Sequence, residues 1–270
     1  MSALAALFSA AALLPGFAGT AAGPDGGTVL TGTFPGGARP GYVYLPPGFD
    51  RSTRYPVVYL LHGMPGSPSE YLDGAGLVSF ADQAIAAHLV RPFIAVLPAA
   101  GTSTHYNGEW GGIWEHHVVE RLVPWIDRVL PTEADPRGRV LAGLSAGGFG
   151  AMDIALRHPG VFGTVESWSG YFSPLHDGPF EHASQDMLRA NDPVQLVPLE
   201  RRELVAGGTR FFLSTGPAHS HWFKPAETIA FGRELQRAGL HPEIRVFASL
   251  KGEWTAQLTA GLTWALRPAA

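Results

Sequence analysis

Ser145 is the residue of this chain best placed to act as a nucleophile. It lies in Gly143-Leu144-Ser145-Ala146-Gly147, with the apolar run Val140-Leu141-Ala142 before it and a helix-like stretch, Gly148 to His158, after it. Gly-x-Ser-x-Gly between a strand and a helix encodes a turn sharp enough to crowd the backbone. The glycines relieve the crowding, and the serine is pushed out at the carboxyl end of the strand. A serine hydroxyl attacks a carbonyl only when a nearby base takes its proton. The oxyanion that forms then needs preorganised donors, usually backbone N–H groups. One candidate is the N–H of Ala146. The other is the N–H of Met64 in His62-Gly63-Met64-Pro65-Gly66, which follows the apolar run Val57 to Leu61. A strand-to-helix loop at that place supplies the second donor in sites of this kind. His62 itself either lines the substrate cleft or is a satisfied structural histidine.

The base is less direct to place, because no histidine follows His241. His219 and His221 lie in Gly216-Pro217-Ala218-His219-Ser220-His221, after the run Arg210 to Ser214. Glu253 stands just before an amphipathic run ending at Leu266, where the helix macrodipole favours an acid whether or not it serves catalysis. Glu109 and Trp110 follow the loop Gly101 to Gly108 and are candidates for substrate contact at the cleft mouth, with loop packing as the alternative. Trp168, near Tyr171 and Phe172, is a candidate for an apolar acyl pocket, although aromatic clusters also build cores.

Positioning these groups takes a particular frame, and the composition permits it. The chain has 270 residues, 46% hydrophobic and 16% charged, with a formal charge of -4. That is enough for one large globular domain; it excludes a disordered chain and gives no basis for a nucleic-acid partner. There is no cysteine, so disulfides, thiolate metal sites and cysteine nucleophiles are ruled out. Adjacent His116 and His117, flanked by Glu115 and Glu120, lack the His-x-x-x-His face of a zinc protease and read as a helix surface. Met1 to Gly23 reads as a signal peptide or apolar leader, too short for a membrane span, with no Lys or Arg before Arg39. It predicts a secreted or cell-envelope protein whose residues 24–270 form a single domain, reached through the Gly/Pro-rich stretch Gly23 to Gly37.

Strands are predicted near Tyr42 to Leu45, Val57 to Leu61, Phe93 to Leu97, Val140 to Gly143, Thr164 to Ser167, Arg210 to Ser214 and Ile244 to Phe247. Helices are predicted near Leu77 to His88, Ile113 to Val129, Gly148 to His158, Ala226 to Ala238 and Trp254 to Leu266. This alternation specifies an α/β fold, a mostly parallel, doubly wound sheet with helices on both faces. Sites on such sheets form at the carboxyl ends of the strands, where Ser145, Met64 and His219 all fall.

Leu61-His62-Gly63, the elbow with Gly147-Gly148-Phe149-Gly150, Arg157-His158-Pro159-Gly160-Val161-Phe162 and Trp168-Ser169-Gly170-Tyr171-Phe172 resemble one branch of the α/β-hydrolase superfamily. That branch holds esterase D, feruloyl esterases and mycolyltransferases. The resemblance covers most of Tyr42 to Leu266. It implies a serine ester hydrolase or acyltransferase, acting on small-molecule or polymeric esters without metal or organic cofactor. The chain departs from the branch twice. An acid usual in a Gly-x-x-Asp setting is replaced in Gly216-Pro217-Ala218-His219, and a base usual in a Gly-His-x-Trp setting is replaced in Lys251-Gly252-Glu253-Trp254. Three arrangements answer this. His219 acts as base with Glu253 orienting it, the two groups having exchanged loops, which the geometric logic of a triad allows; His221 is the nearby substitute. Alternatively another histidine, such as His105, supplies the base. In the third, the base is lost and the fold is a weak catalyst or a silent binder of a lipid, glycan or cell-wall ligand.

Overall fold

In the computed structural model, which describes residues 14–101, 109–176, 178–217, 224–249 and 253–268, the apolar run Val57–Leu61 is a strand buried at every position. A strand so buried needs neighbours on both edges and cover on both faces. The described residues supply nine strands: β1 Phe17–Ala22, β2 Thr28–Thr33, β3 Pro40–Leu45, β4 Val57–Leu61, β5 Ile94–Leu97, β6 Arg139–Leu144, β7 Thr164–Trp168, β8 Arg210–Thr215 and β9 Glu243–Val246. They form one sheet in the order β1-β2-β3-β5-β4-β6-β7-β8-β9. From β5 through β9 every pairing is parallel; β1, β2 and β3 extend the sheet as antiparallel strands beyond β5. The doubly wound expectation therefore holds for the part of the sheet that carries the site.

The helices are α1 Glu70–Asp73, α2 Leu77–Ala86, α4 Ala146–Arg157, α5 Gln185–Ala190, α6 Pro193–Gly207, α7 Pro225–Arg237 and α8 Glu253–Ala265. Between α2 and α4 lies α3, made of Ile113–His116, a π-helical stretch His117–Leu122 and Val123–Val129. Strand side chains alternate between the two faces. Tyr59 and Leu61 join a core layer with Ile126, Ile154 and Phe231, under α3, α4 and α7. Val58 and Leu60 join the opposite layer with Leu77, Ala81, Leu258 and Leu262, under α2 and α8. Each buried Val or Leu contributes roughly 1.5–3 kcal/mol, so the central strands are set by the core alone. Among the described residues no helix is long and apolar enough to cross a membrane.

The predicted leader requires correction. Phe17–Ala22, inside the span assigned to it, pairs antiparallel with β2, with a register shift between Gly19 and Ala21, and Leu14 and Phe17 are buried in the core. The Phe17 ring lies 5.0 Å from Phe34 and 5.9 Å from Trp125. The turn between β1 and β2 is clasped by Asp82 of α2, whose Oδ2 accepts the N–H groups of Asp25 and Gly27 at 2.9 and 3.1 Å. The Tyr44 hydroxyl donates to the other oxygen at 2.8 Å. The fold thus begins by Leu14, not at residue 24, and Gly23 to Gly37 carries β2 instead of serving as a linker. Residues 1–13 lie outside the described residues.

One core residue makes stability depend on pH. Glu166 of β7 is fully buried, and burial pushes its carboxyl up to about 8, against weaker opposing pulls from the Trp168 bond, Arg210 and Arg245. An acid raised on folding is protonated in the native chain but ionised in the unfolded one between its two pKa values. Its contribution is present below about 4.5 and lost as pH rises toward 8. Glu166→Gln should therefore flatten the fall in stability between pH 5 and pH 8 by on the order of 3 kcal/mol. Urea unfolding at both pH values checks this; parallel profiles for the two proteins would contradict it.

Candidate active site

Ser145 joins β6 to α4 with φ 52° and ψ -115°, a conformation that costs a residue with a side chain of order 1–3 kcal/mol and persists only where the surroundings enforce it. The surroundings are backbone. A Cβ on Gly147 would overlap the Leu61 carbonyl oxygen and lie 2.8 Å from that of His62; one on Gly143 would lie 2.8 Å from the Gly147 Cα. Both glycines let α4 start against the carboxyl ends of β4 and β6. The Ser145 N–H donates to the Trp168 carbonyl at 3.0 Å, which ties the bend to β7.

The exposed side of the bend opens on a pocket of about 280 Å³ lined by Gly63, Met64, Pro65, Glu70, Leu144, Ser145 and Trp254. Gly63 stands directly beside the serine: a Cβ there would lie 3.4 Å from the Ser145 Cβ. Ala146 opens α4, so its N–H belongs to a first turn whose N–H groups have no partner inside the helix. Met64 and Ala146 thus flank Ser145 from the two loops in which the sequence places them.

On the far side of Ser145, the start of α8 brings Glu253 and Trp254 to the same region. Glu253 is 5% exposed. Its Oε1 accepts the Ser169 hydroxyl at 3.1 Å and the Gln257 amide at 2.8 Å. The same amide reaches the Ser169 Oγ at 2.8 Å, and the Ser214 hydroxyl donates to the Gln257 carbonyl oxygen at 2.6 Å. The carboxylate is therefore oriented from the ends of β7 and β8 and from one turn along its own helix. Burial raises its pKa, and the Ser169 bond opposes that rise. A Cβ on Gly216 would lie 2.8 Å from the Glu253 carboxyl carbon, so the acid sits against the first residue of the loop after β8. His219 and His221, which follow Gly216 in sequence, lie outside the described residues, as does His105.

The proposed substrate contacts are placed differently. His62 is fully buried; its Nε2 accepts the Ala100 N–H at 3.0 Å, which makes Nδ1 the donor to the Gly63 carbonyl at 2.8 Å. Burial pushes its pKa down to about 4: it is a neutral ring bracing the Met64 loop. Trp110 is fully buried and donates to the His62 carbonyl at 2.9 Å. Glu109, also buried, accepts the Tyr171 hydroxyl and, at 3.2 Å, the Leu175 N–H. The Trp168 indole points into the core and donates to Glu166 at 2.8 Å. All four lie behind the site, where they hold its loops, and the lining they were assigned falls to Trp254 and Glu70. Trp254 was legible only as part of the departing Gly-His-x-Trp segment. Gln257 could have been found as the i+4 neighbour of Glu253 on one helix face.

Residues 33–265 match the family model described as "Esterase: Putative esterase". An esterase of Mycobacterium tuberculosis is 33% identical over 253 residues, covering 77% of this chain and 51% of its own. An endo-1,4-beta-xylanase/feruloyl esterase of Xylanibacter ruminicola is 36% identical over 132 residues, covering 45% of this chain and 18% of its own. The chain thus spans about half, or less, of these relatives. A solved ferulic acid esterase superposes with a TM-score of 0.75 at 24% identity, covering 89% of this chain and 98% of that one, which establishes the α/β-hydrolase fold.

Proposed function

The chain belongs to the esterase family matched by its residues 33–265, and from that membership we propose that it hydrolyses carboxylic esters through an acyl-enzyme on Ser145. The observation that carries the proposal is the strained serine opening on a pocket between the Met64 and Ala146 loops. The Ser145 oxygen attacks the ester carbonyl while an imidazole takes its proton. The tetrahedral oxyanion rests on the N–H groups of Met64 and Ala146. As the intermediate collapses, the carbon–oxygen bond to the alcohol breaks and the imidazolium returns the proton to the departing oxygen. Water then repeats the sequence on the acyl-serine and releases the acid. The single-domain reading is extended here to begin at Leu14.

His219 is proposed as the base and Glu253 as the acid that orients it. The support is that the Glu253 carboxylate sits against Gly216, three residues before His219, with Oε1 held and Oε2 accepting no bond among the described residues. The apolar, alanine-rich residues before Leu14 support an exported protein, whose substrate would lie outside the cell.

The test uses a short-chain nitrophenyl ester and a fluorophosphonate. Wild-type protein is expected to turn over the ester and to be labelled stoichiometrically on Ser145. His219→Ala is expected to lose at least about a hundredfold in kcat. Turnover unchanged within a few-fold in His219→Ala would move the base to His221 or His105, and an unlabelled wild-type Ser145 would overturn the esterase proposal.

A further inference from the structure

Beneath the pocket one side chain joins the two loops on which the chemistry depends. Tyr71 of α1 is fully buried. Its hydroxyl donates to the Leu61 carbonyl at 2.6 Å and accepts the Leu144 N–H at 3.1 Å. Leu61 ends β4, directly before His62-Gly63-Met64; Leu144 ends β6, directly before Ser145. The two strands run in register as far as Leu61 opposite Gly143, and the hydroxyl stands where they part. The Tyr71 ring also meets the Trp168 indole edge-on at 6.3 Å, and the Trp168 carbonyl holds the Ser145 N–H. One residue therefore bonds the strand ends that lead into the Met64 loop and into Ser145, and packs its ring on the side chain of the residue whose carbonyl holds the Ser145 N–H.

We propose that Tyr71 is a positioning residue that sets the spacing of the Met64 and Ala146 N–H groups around the oxyanion. The proposal rests on the acyl-enzyme reading above. A hydroxyl is one of the few groups that can accept from an N–H and donate to a carbonyl at once. Here it acts as a spacer inserted between two strands that would otherwise close on each other or leave both groups unpaired. Oxyanion donors work only within about 2.7–3.1 Å of the developing charge, and a misplacement of about 1 Å costs on the order of a hundredfold. Burial keeps the phenol protonated far above neutral pH, so the spacer holds across the whole working range of a histidine base.

Tyr71→Phe keeps the ring against Trp168 and deletes the bridge. In the full chain, its kcat for the nitrophenyl ester is expected to fall about 10- to 100-fold with KM within about twofold. The inhibition constant of a trifluoromethyl ketone, which forms a tetrahedral adduct on the serine, should weaken by the same factor as kcat/KM. The pH profile should keep its shape. Unchanged kcat and inhibitor affinity in a protein whose wild-type form is active would overturn the inference alone. So would a variant that fails to fold, or one that loses KM and kcat together, since Tyr71 would then be a core residue and nothing more. A wild-type protein whose Ser145 takes neither fluorophosphonate nor ketone would overturn the esterase reading and this inference with it.

Discussion

Ser145→Ala is expected to reduce ester turnover by at least about ten-thousandfold. No other side chain at the elbow can receive the acyl group, and the residue left behind offers only binding and the oxyanion donors. Alanine suits the site as well, or as badly, as serine does: both carry a Cβ at φ 52°, so the strain stays the same and the fold should not respond. Melting temperature within about 2 °C of wild type would accordingly accompany the loss. Measured by nitrophenyl ester hydrolysis with enzyme purified free of host esterases, residual activity above about 1% would mean that another nucleophile operates. In that event the pocket beside Gly63 would have to be reassigned.

Gly147→Ala is the second large effect, and it acts through backbone. The added methyl would overlap the Leu61 carbonyl oxygen and lie 2.5 Å from the carbon that bears it. Neither can rotate away, because β4 is held on both sides by β5 and β6. The start of α4 must move instead, and it carries the Ala146 N–H away from the Met64 loop. Overpacking of this sort typically costs 1–3 kcal/mol, occasionally more, and we expect activity to fall at least about a thousandfold through the lost donor and the displaced serine together. Gly148→Ala is the comparison. Its Cβ would meet the Ser167 hydroxyl at 2.7 Å, a side-chain atom that can turn aside, and the Gly143 oxygen and Gly170 Cα at 3.1 Å, a far milder approach to backbone than that at Gly147. If Gly147→Ala were as active as Gly148→Ala, the close approach of α4 to β4 would not be what holds the elbow.

These two glycines also explain why the centre of the site was legible from residues alone. Gly143 is demanded by Gly147, four residues along, and Gly147 by the carbonyl oxygens of Leu61 and His62 at the end of β4; both constraints fall on one short run of residues and so show as a local pattern. The fully apolar Val57 to Leu61 is legible for a similar reason, since a strand buried on both faces admits little else. The outer strands are not of this kind. Phe17–Ala22 and Thr28–Thr33 are small, Gly- and Thr-rich segments with mixed burial, and what makes them strands is their pairing and the clasp at Asp82, residues far away in sequence. The same distance hid Tyr71, whose role exists only through Leu61 and Leu144. His62, Glu109, Trp110 and Trp168 show the opposite error. His62 and Trp168 fall at the ends of β4 and β7 and Glu109 and Trp110 just before α3, but loops that hold a site in place need polar and aromatic residues behind them as much as in front. Glu253 and His219 remain candidates that the mismatch with the family pattern brought forward, and His219 lies outside the described residues.

The β1 pairing bears on how the molecule can be handled. A recombinant chain trimmed to start at residue 24 would strip the outer N–H and C=O groups of β2 of their partners and uncover the rings of Phe34 and Trp125. A bare strand edge beside an aromatic patch recruits a like edge from another molecule. Such a truncated preparation would self-associate through β2, far from Ser145, and could pass for a natural dimer.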